Sequence, residues 1–249
     1  MNLAGSEVMN IKKRLILSGL IFFILISIKN TFAAERDVYS FSWLDPDKEI
    51  YVLQNRKYRK VDRLYIQAGY GFTTSGAFVD SSTMQAKAGY FFQEEWGIQF
   101  NYAKNSGKEN DAAKSVRNPT GPSGSKPFRR IVDDYQVAMV VWSPFYGKLN
   151  TFNTIVYYDW ILGLGYGKLN ETNNREEFEG LFSPNDISES HSVIAWEVAL
   201  QFYLNRNYYV RLDLDAQHYK AQAEIAKGTN TEEAWYSNYD ISFAFGYTF

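Results

Sequence analysis

The chain has 249 residues, a net charge of −2 and no cysteine. Near-neutrality gives no global pull toward nucleic acid or acidic substrates, and the lack of thiols excludes a disulfide scaffold, a cysteine-ligated metal and a lipid-modified N-terminal cysteine. Aromatic side chains make up 17% of the residues, led by 19 Tyr and 18 Phe, a bias suited to rings that sit where apolar and wet surfaces meet, as in the girdles of a membrane barrel.

The first segment reads as an address. Asn10, Ile11, Lys12, Lys13 and Arg14 form a basic start, 15–28 is an uncharged apolar run, and Lys29 to Ala34 turns polar and ends in small residues. This is the layout of a secretory signal peptide, with cleavage expected after Ala33. Met9 is a second candidate start beside Met1. A retained anchor is disfavoured, because a run of 14 residues is short of the ~20 that span a bilayer. Residues 34–61 follow as a periplasmic segment with Tyr39, Phe41, Trp43, Tyr51 and the basic run Arg56, Lys57, Arg59 and Lys60. Packing beneath a barrel mouth and a disordered lead-in are both open for it.

From residue 62 the dominant period is two, the signature of strands with unlike faces. Strand one spans about 62–74, with Leu64, Ile66, Ala68, Tyr70 and Phe72 on the apolar face. Strand two, about 82–92, sets Met84, Ala86, Ala88 and Tyr90 against Gln85, Lys87 and Gly89. Strand three, about 96–105, sets Trp96, Ile98, Phe100 and Tyr102 against Gln99 and Asn101. Strand four, about 131–142, is read with Tyr135, Val137, Met139 and Val141 on the apolar face and Asp134, Gln136 and Ala138 opposite. Strand five, about 154–168, carries Val156 to Tyr166 against Gly163, Gly165 and Gly167. Strand six opposes Ile194, Trp196, Val198, Leu200 and Phe202 to Glu197 and Gln201. Strand seven opposes Val210, Leu212 and Leu214 to Arg211, Asp213, Asp215 and Gln217. Strand eight runs from Trp235 to Phe249 with Tyr239, Ile241, Phe243, Phe245 and Tyr247 on the same face.

These lengths match the ~9–11 residues of a tilted transmembrane strand, and none of the six Pro falls inside one, as ladder bonding requires. Short links (93–95, 143–153, 205–207) alternate with long ones (106–130, 169–190, 221–234), and the 75–81 link is intermediate. Outer-membrane barrels show that asymmetry, with long loops outside. The expected fold is therefore all-β: one eight-stranded antiparallel up-and-down transmembrane barrel over 62–249.

In lipid every backbone polar group must be paired within the protein, so the sheet must close. Eight strands leave an interior that side chains can fill. The candidate inward charges are Lys87, Asp134, Asp159, Glu197, Arg211, Asp213, Asp215 and Asp240. Lys87 and Arg211 are expected among several of the carboxylates, since a lone buried charge is costly. For Asp213 and Asp215 a solvated rim position is equally open. Phe243, Phe245, Tyr247 and the terminal Phe249 look like the aromatic C-terminal strand by which barrels are recognised for membrane insertion.

No residue cluster demands catalysis. His191 with Ser192, and the lone His218, are read as loop and interface residues. Gly163, Gly165 and Gly167 lie two apart in a strand, so they make no phosphate loop and are expected to open lumen space or permit curvature. The 106–130 loop, with Lys108, Lys114, Arg117, Lys126, Arg129 and Arg130, is expected to be a solvated loop, contact with lipopolysaccharide being the alternative.

The stretch from Val52 to Lys60, leading into Arg63, Leu64, Tyr65 and Ile66, resembles the start of an outer-membrane barrel family known from Bdellovibrio and myxobacteria, which shares a "VQN-K/R-x-Y" opening and an aromatic last strand. In general build the chain is similar to small OmpX- and OmpA-type barrels. The resemblance implies a barrel and no settled activity. A structural or surface-interaction protein with displayed loops is expected, in the outer membrane of a Gram-negative bacterium. A narrow porin-like channel and a lipid-modifying enzyme are the alternatives. No cofactor, metal or nucleic acid is expected. The expected partners are outer-membrane lipid and lipopolysaccharide, the barrel assembly machinery and periplasmic chaperones, around a monomer.

Overall fold

A computed structural model describes residues 56–74, 76, 78–117, 127–151, 154–175, 186–223 and 233–249. The expected signal peptide (1–33), most of the 34–61 segment and Lys126 lie outside the described residues. The strands are β1 (Arg63–Thr73), β2 (Val79–Phe91), β3 (Trp96–Glu109), β4 (Arg130–Trp142), β5 (Tyr146–Thr151), β6 (Thr154–Asn173), β7 (Ile187–Tyr203), β8 (Tyr208–Gln222) and β9 (Glu233–Thr248), with one short helix, α1 (Asp111–Arg117), between β3 and β4.

Every pairing is antiparallel, and the β4–β6 pair joins the two ends of the sheet through Arg130↔Asn173 to Trp142↔Leu162. Eight strands thus close on themselves, which leaves no edge for lipid to face. β5 stands outside this ring. The 143–153 link is not a plain turn: Tyr146–Thr151 folds back on the start of β6, from Tyr146↔Asp159 to Thr151↔Thr154. The long-loop side also differs from expectation. β3 runs to Glu109, β6 to Asn173 and β8 to Gln222, and β7 starts at Ile187. Apolar alternation stops before these ends, but ladder pairing does not. Asn170↔Ser190 and Thr172↔Ser188 on the outer face and Glu171↔Glu189 on the inner one continue it with polar side chains, which hydrophobic periodicity cannot register.

On seven of the eight ring strands the alternating apolar stripe faces outward, as its residues suggest, and the polar or small set faces the lumen. β4 is the correction. Tyr135, Val137, Met139 and Val141 are buried in the lumen, while Gln136, Ala138, Val140 and Trp142 face out. Asp134 goes with the outer set and accepts from the Asn170 amide at 2.9 Å, so it is no part of a lumen network. Both faces of β4 are apolar from 137 to 141, so alternation could not choose between them. A register shift between Val132 and Asp134 further breaks the count.

The cause lies on the neighbouring strand. A Cβ on Gly165 would stand 2.5 Å from Met139 Cγ, and one on Gly167 would stand 2.0 Å from the Gln136 carbonyl. The β6 glycines thus let β4 approach closely and let its inward side chains fill the lumen. Tyrosines close similar gaps elsewhere. Tyr65 lies across Gly89 and Tyr209 across Gly246, each directly paired in the ladder. A Cβ on either glycine would meet the ring at 2.1–2.4 Å.

Candidate functional site

Alternation along β8 sends Arg211, Asp213, Asp215 and Gln217 into the lumen, where all four are fully buried. β2 brings Lys87 opposite them and β7 brings Glu197. The Lys87 ammonium donates to Glu197 at 2.7 Å and to Asp213 and Asp215 at 3.0 Å. Arg211 donates through Nε to Asp213 at 2.6 Å and pairs through Nη2 with Glu197. Gln99 donates to Glu197 at 2.7 Å and accepts from the Tyr65 hydroxyl at 2.8 Å. Two cations therefore face three carboxylates in a dry space, where each unpaired charge would be costly. The oxygens of Glu197, Asp213 and Asp215 lie close enough together to hold a metal ion, but the Lys87 ammonium already occupies the position among them.

Asp240 forms a second, adjoining set. It accepts from the Tyr135 hydroxyl at 2.7 Å and from Asn238 at 3.0 Å, and Asn238 donates in turn to Gln217. Asp159 lies elsewhere, at the short-turn end. There it accepts from Lys60 and from the Tyr203 hydroxyl, each at 2.5 Å. Lys60 also donates to Ser143. Asp62, at φ 58°, turns the chain sharply into β1, a conformation Asp tolerates. Tyr58 stacks on Tyr203 at 4.8 Å, and Arg56 lies 3.6–3.8 Å from Glu94 and Glu95. Residues 56–61 thus pack into the short-turn mouth as a floor.

The opposite mouth carries a third network. Arg130 Nε lies 2.9 Å from buried Glu171, which also accepts from Tyr219 at 2.8 Å. Arg175 pairs with Glu189 at 3.1 Å and donates to Gln222 at 2.5 Å. His191 stacks on Tyr219 and lies 3.2 Å from Glu171, while Ser192, next along the strand, faces outward. Arg129 bridges Glu109 and Asp186 at 2.7 Å each. Sequence reasoning placed Arg129 and Arg130 in a solvated loop, named Lys60 only within a basic run and did not name Glu171. Their partners are distant in sequence, and no local pattern marks them.

His218 sits on the outer face. Its Nε2 accepts from the Trp196 indole at 2.9 Å, so in the neutral ring Nδ1 carries the proton and donates to Ser237 at 2.7 Å. That tautomer gives the Ser237 hydroxyl no base. The short-turn end of the outward face carries aromatic pairs. Trp96 stacks on Trp142 at 5.8 Å, and Tyr208 meets Phe245 and Tyr247 at 5.7 and 5.0 Å. Phe243, Phe245 and Phe249 are exposed on the outer face, with Tyr247 partly exposed among them.

The sequence of residues 53–249 matches the family described as outer membrane protein beta-barrel domain. The chain belongs to this family. As such it is a Gram-negative outer-membrane barrel, and the outward stripes are its lipid face. Among solved structures it is similar to the N-terminal barrel of Pseudomonas aeruginosa OprF, at 12% identity and TM-score 0.42, over 76% of this chain and 98% of that one. It is also similar to OprG of the same organism, at 13% and 0.43, over 77% and 98%. The likeness to Ail, the attachment invasion locus protein of Yersinia pestis, is 16% and 0.36, over 76% and 99%. The comparison with curated proteins finds no match.

Proposed function

We propose that this barrel serves a structural or surface-interaction role, displaying its outer strand ends and loops, and that it neither conducts nor catalyses. One observation carries the reading. The Lys87–Glu197–Arg211–Asp213–Asp215 cluster crosses the lumen with every member's side chain fully buried. Ions would have to break several charge-assisted bonds to pass, and such bonds are the strong ones. Lys60 and Asp159 add a second barrier at the periplasmic mouth. The Ser237–His218 tautomer and the opposed facing of His191 and Ser192 support the non-catalytic half. Export through a signal peptide, residues 1–33, is part of the proposal, and a mature N-terminus at Ala34 checks it. Planar-bilayer recording of pure protein tests the closed lumen. No steady single-channel steps are expected, and well-resolved unitary steps would overturn the reading.

A further inference from the structure

The inverted facing of β4 leaves an unusual patch on the lipid side. A groove of about 850 Å³ crosses the outer face, lined among others by Ala88, Phe100, Ala138, Val140, Leu164 and Tyr166. These residues lie in adjacent ladder rows: Ala88↔Phe100↔Ala138↔Tyr166, with Val140↔Leu164 beside them. Ala88 and Ala138 contribute only methyl groups between much larger neighbours, so the surface is indented there. In a bilayer such a hollow is filled by hydrocarbon, because apolar surface is not left in contact with void.

The polar rows above the groove narrow the choice of occupant. One step toward the long-loop end, about 7 Å along each strand, the outer face reads Tyr102↔Gln136↔Lys168, and one step further it reads Lys104↔Asp134↔Asn170. Lys104 and Lys168 are exposed, and neither has a hydrogen bond or ion pair among the described residues. Asp134 is turned to the Asn170 amide. The opposite end of the groove, near Leu64 and Tyr90, bears Asp62, which accepts from the Tyr90 hydroxyl at 3.0 Å. Two lysines thus flank the amide-bonded Asp134 at the outer-leaflet level, while Asp62 stands at the inner one.

We infer that this face seats one lipid A anchor of lipopolysaccharide, its acyl chains in the Ala88–Ala138 groove and its phosphates at Lys104 and Lys168. A phospholipid of the inner leaflet would bring its phosphate to Asp62, where the neighbouring Arg63 already donates to the main-chain oxygens of Arg206, Thr248 and Phe249, so the charge pattern fits an outer-leaflet lipid. The inference rests on the barrel reading, with the outward stripes facing lipid.

The test is native mass spectrometry of the purified full chain in detergent, with diphosphoryl lipid A added. Wild type retains one lipid A. K104Q/K168Q weakens retention roughly thirtyfold, about fivefold for each lysine acting at an anionic headgroup. Monophosphoryl lipid A binds several-fold more weakly than the diphosphoryl form. A138W, which fills the groove, loses retention, and A138L serves if the Trp variant does not fold. Retention by the variants equal to wild type, or displacement of lipid A by an equal concentration of phosphatidylglycerol, overturns the inference. Migration with and without boiling is read on the same samples. Wild type lacking a heat-modifiable band refutes the barrel itself, whereas a heat-modifiable wild type that retains no lipid A refutes only the seat.

Discussion

Replacing Lys87 by Met removes the charge at the centre of the lumen while keeping an unbranched chain of similar length. The consequence falls hardest on Asp215. Its remaining contact among the described residues is the Asn101 amide at 3.4 Å, and it lies directly across the ladder from Asp240. Glu197 and Asp213 keep Arg211. One cation then faces three carboxylates. Breaking a buried pair by removing one partner costs about 3–5 kcal/mol. With a urea m-value of about 1–3 kcal/mol per molar, a loss of ~4 kcal/mol moves the unfolding midpoint down by more than about 1 M. The assay is urea unfolding in lipid vesicles, followed by fluorescence of the six Trp. D215N alone is expected to be nearly neutral, because it leaves two cations with two carboxylates. Combined with K87M it should recover at least about 2 kcal/mol, a coupling typical of groups in direct contact. A K87M midpoint close to wild type refutes the argument, and so does a double variant as weak as the sum of the single ones.

Four further outcomes follow from the same geometry. L212R, on the outer face opposite Phe243, should lose about 2–4 kcal/mol if it lies near the bilayer midplane, and a neutral result in the same unfolding assay would deny the lipid contact. Because the chain has no native cysteine, V140C and V141C report the facing of β4: a bilayer-dissolved maleimide should label V140C and spare V141C, and the reverse pattern would restore the sequence-based orientation. G246A places a Cβ about 2.1 Å from the Tyr209 ring and should cost about 1–3 kcal/mol by overpacking, with G246S no better; equal midpoints would show that the ring has room to move. Burial holds the Lys60 ammonium below its ordinary value of 10.5, outweighing the attraction of Asp159. The folded protein therefore sheds that proton at lower pH than the unfolded chain, the unfolded state binds more protons in the interval, and stability rises as pH climbs toward 10.5. K60M should flatten that slope, and parallel pH profiles for the two proteins would refute it.

The barrel was legible because seven ring strands obey one rule, an apolar residue at every second position on a single face. Arg211, Asp213 and Asp215 on β8, with Glu197 and Lys87, are visible as inward charges by alternation alone. Which carboxylate each cation meets is not visible, because Lys87 and Asp215 are separated by 128 residues and only the closed ring brings them together. The outer strand ends were missed for a related reason. Ser188, Ser190 and Thr172 pair as well as valines do, yet they carry no hydrophobic signal. Lys60 and Asp159 show a third kind of loss, a contact made by a residue outside every strand.

β4 shows what alternation lacks when both faces are apolar. Its facing is decided by β6, where Gly163, Gly165 and Gly167 leave the volume that Val137, Met139 and Val141 occupy. Had the glycines been read as a hollow to be filled, the bulkier set of β4 would have been assigned to the lumen and Ala138 to the lipid. The same choice fixes two features at once. It makes the middle of the β4–β6 wall of the lumen apolar, so the central charges gather on β2, β7 and β8, where they can reach one another. It also puts the smallest outward side chain of β4 beneath Gln136, with Lys168 and Lys104 close by on the neighbouring strands. A substitution that reversed β4, such as bulky residues at Gly165 and Gly167, would therefore have to disturb the lumen network and the lipid groove together. Loss of one without the other would mean that the two are not coupled through the glycines.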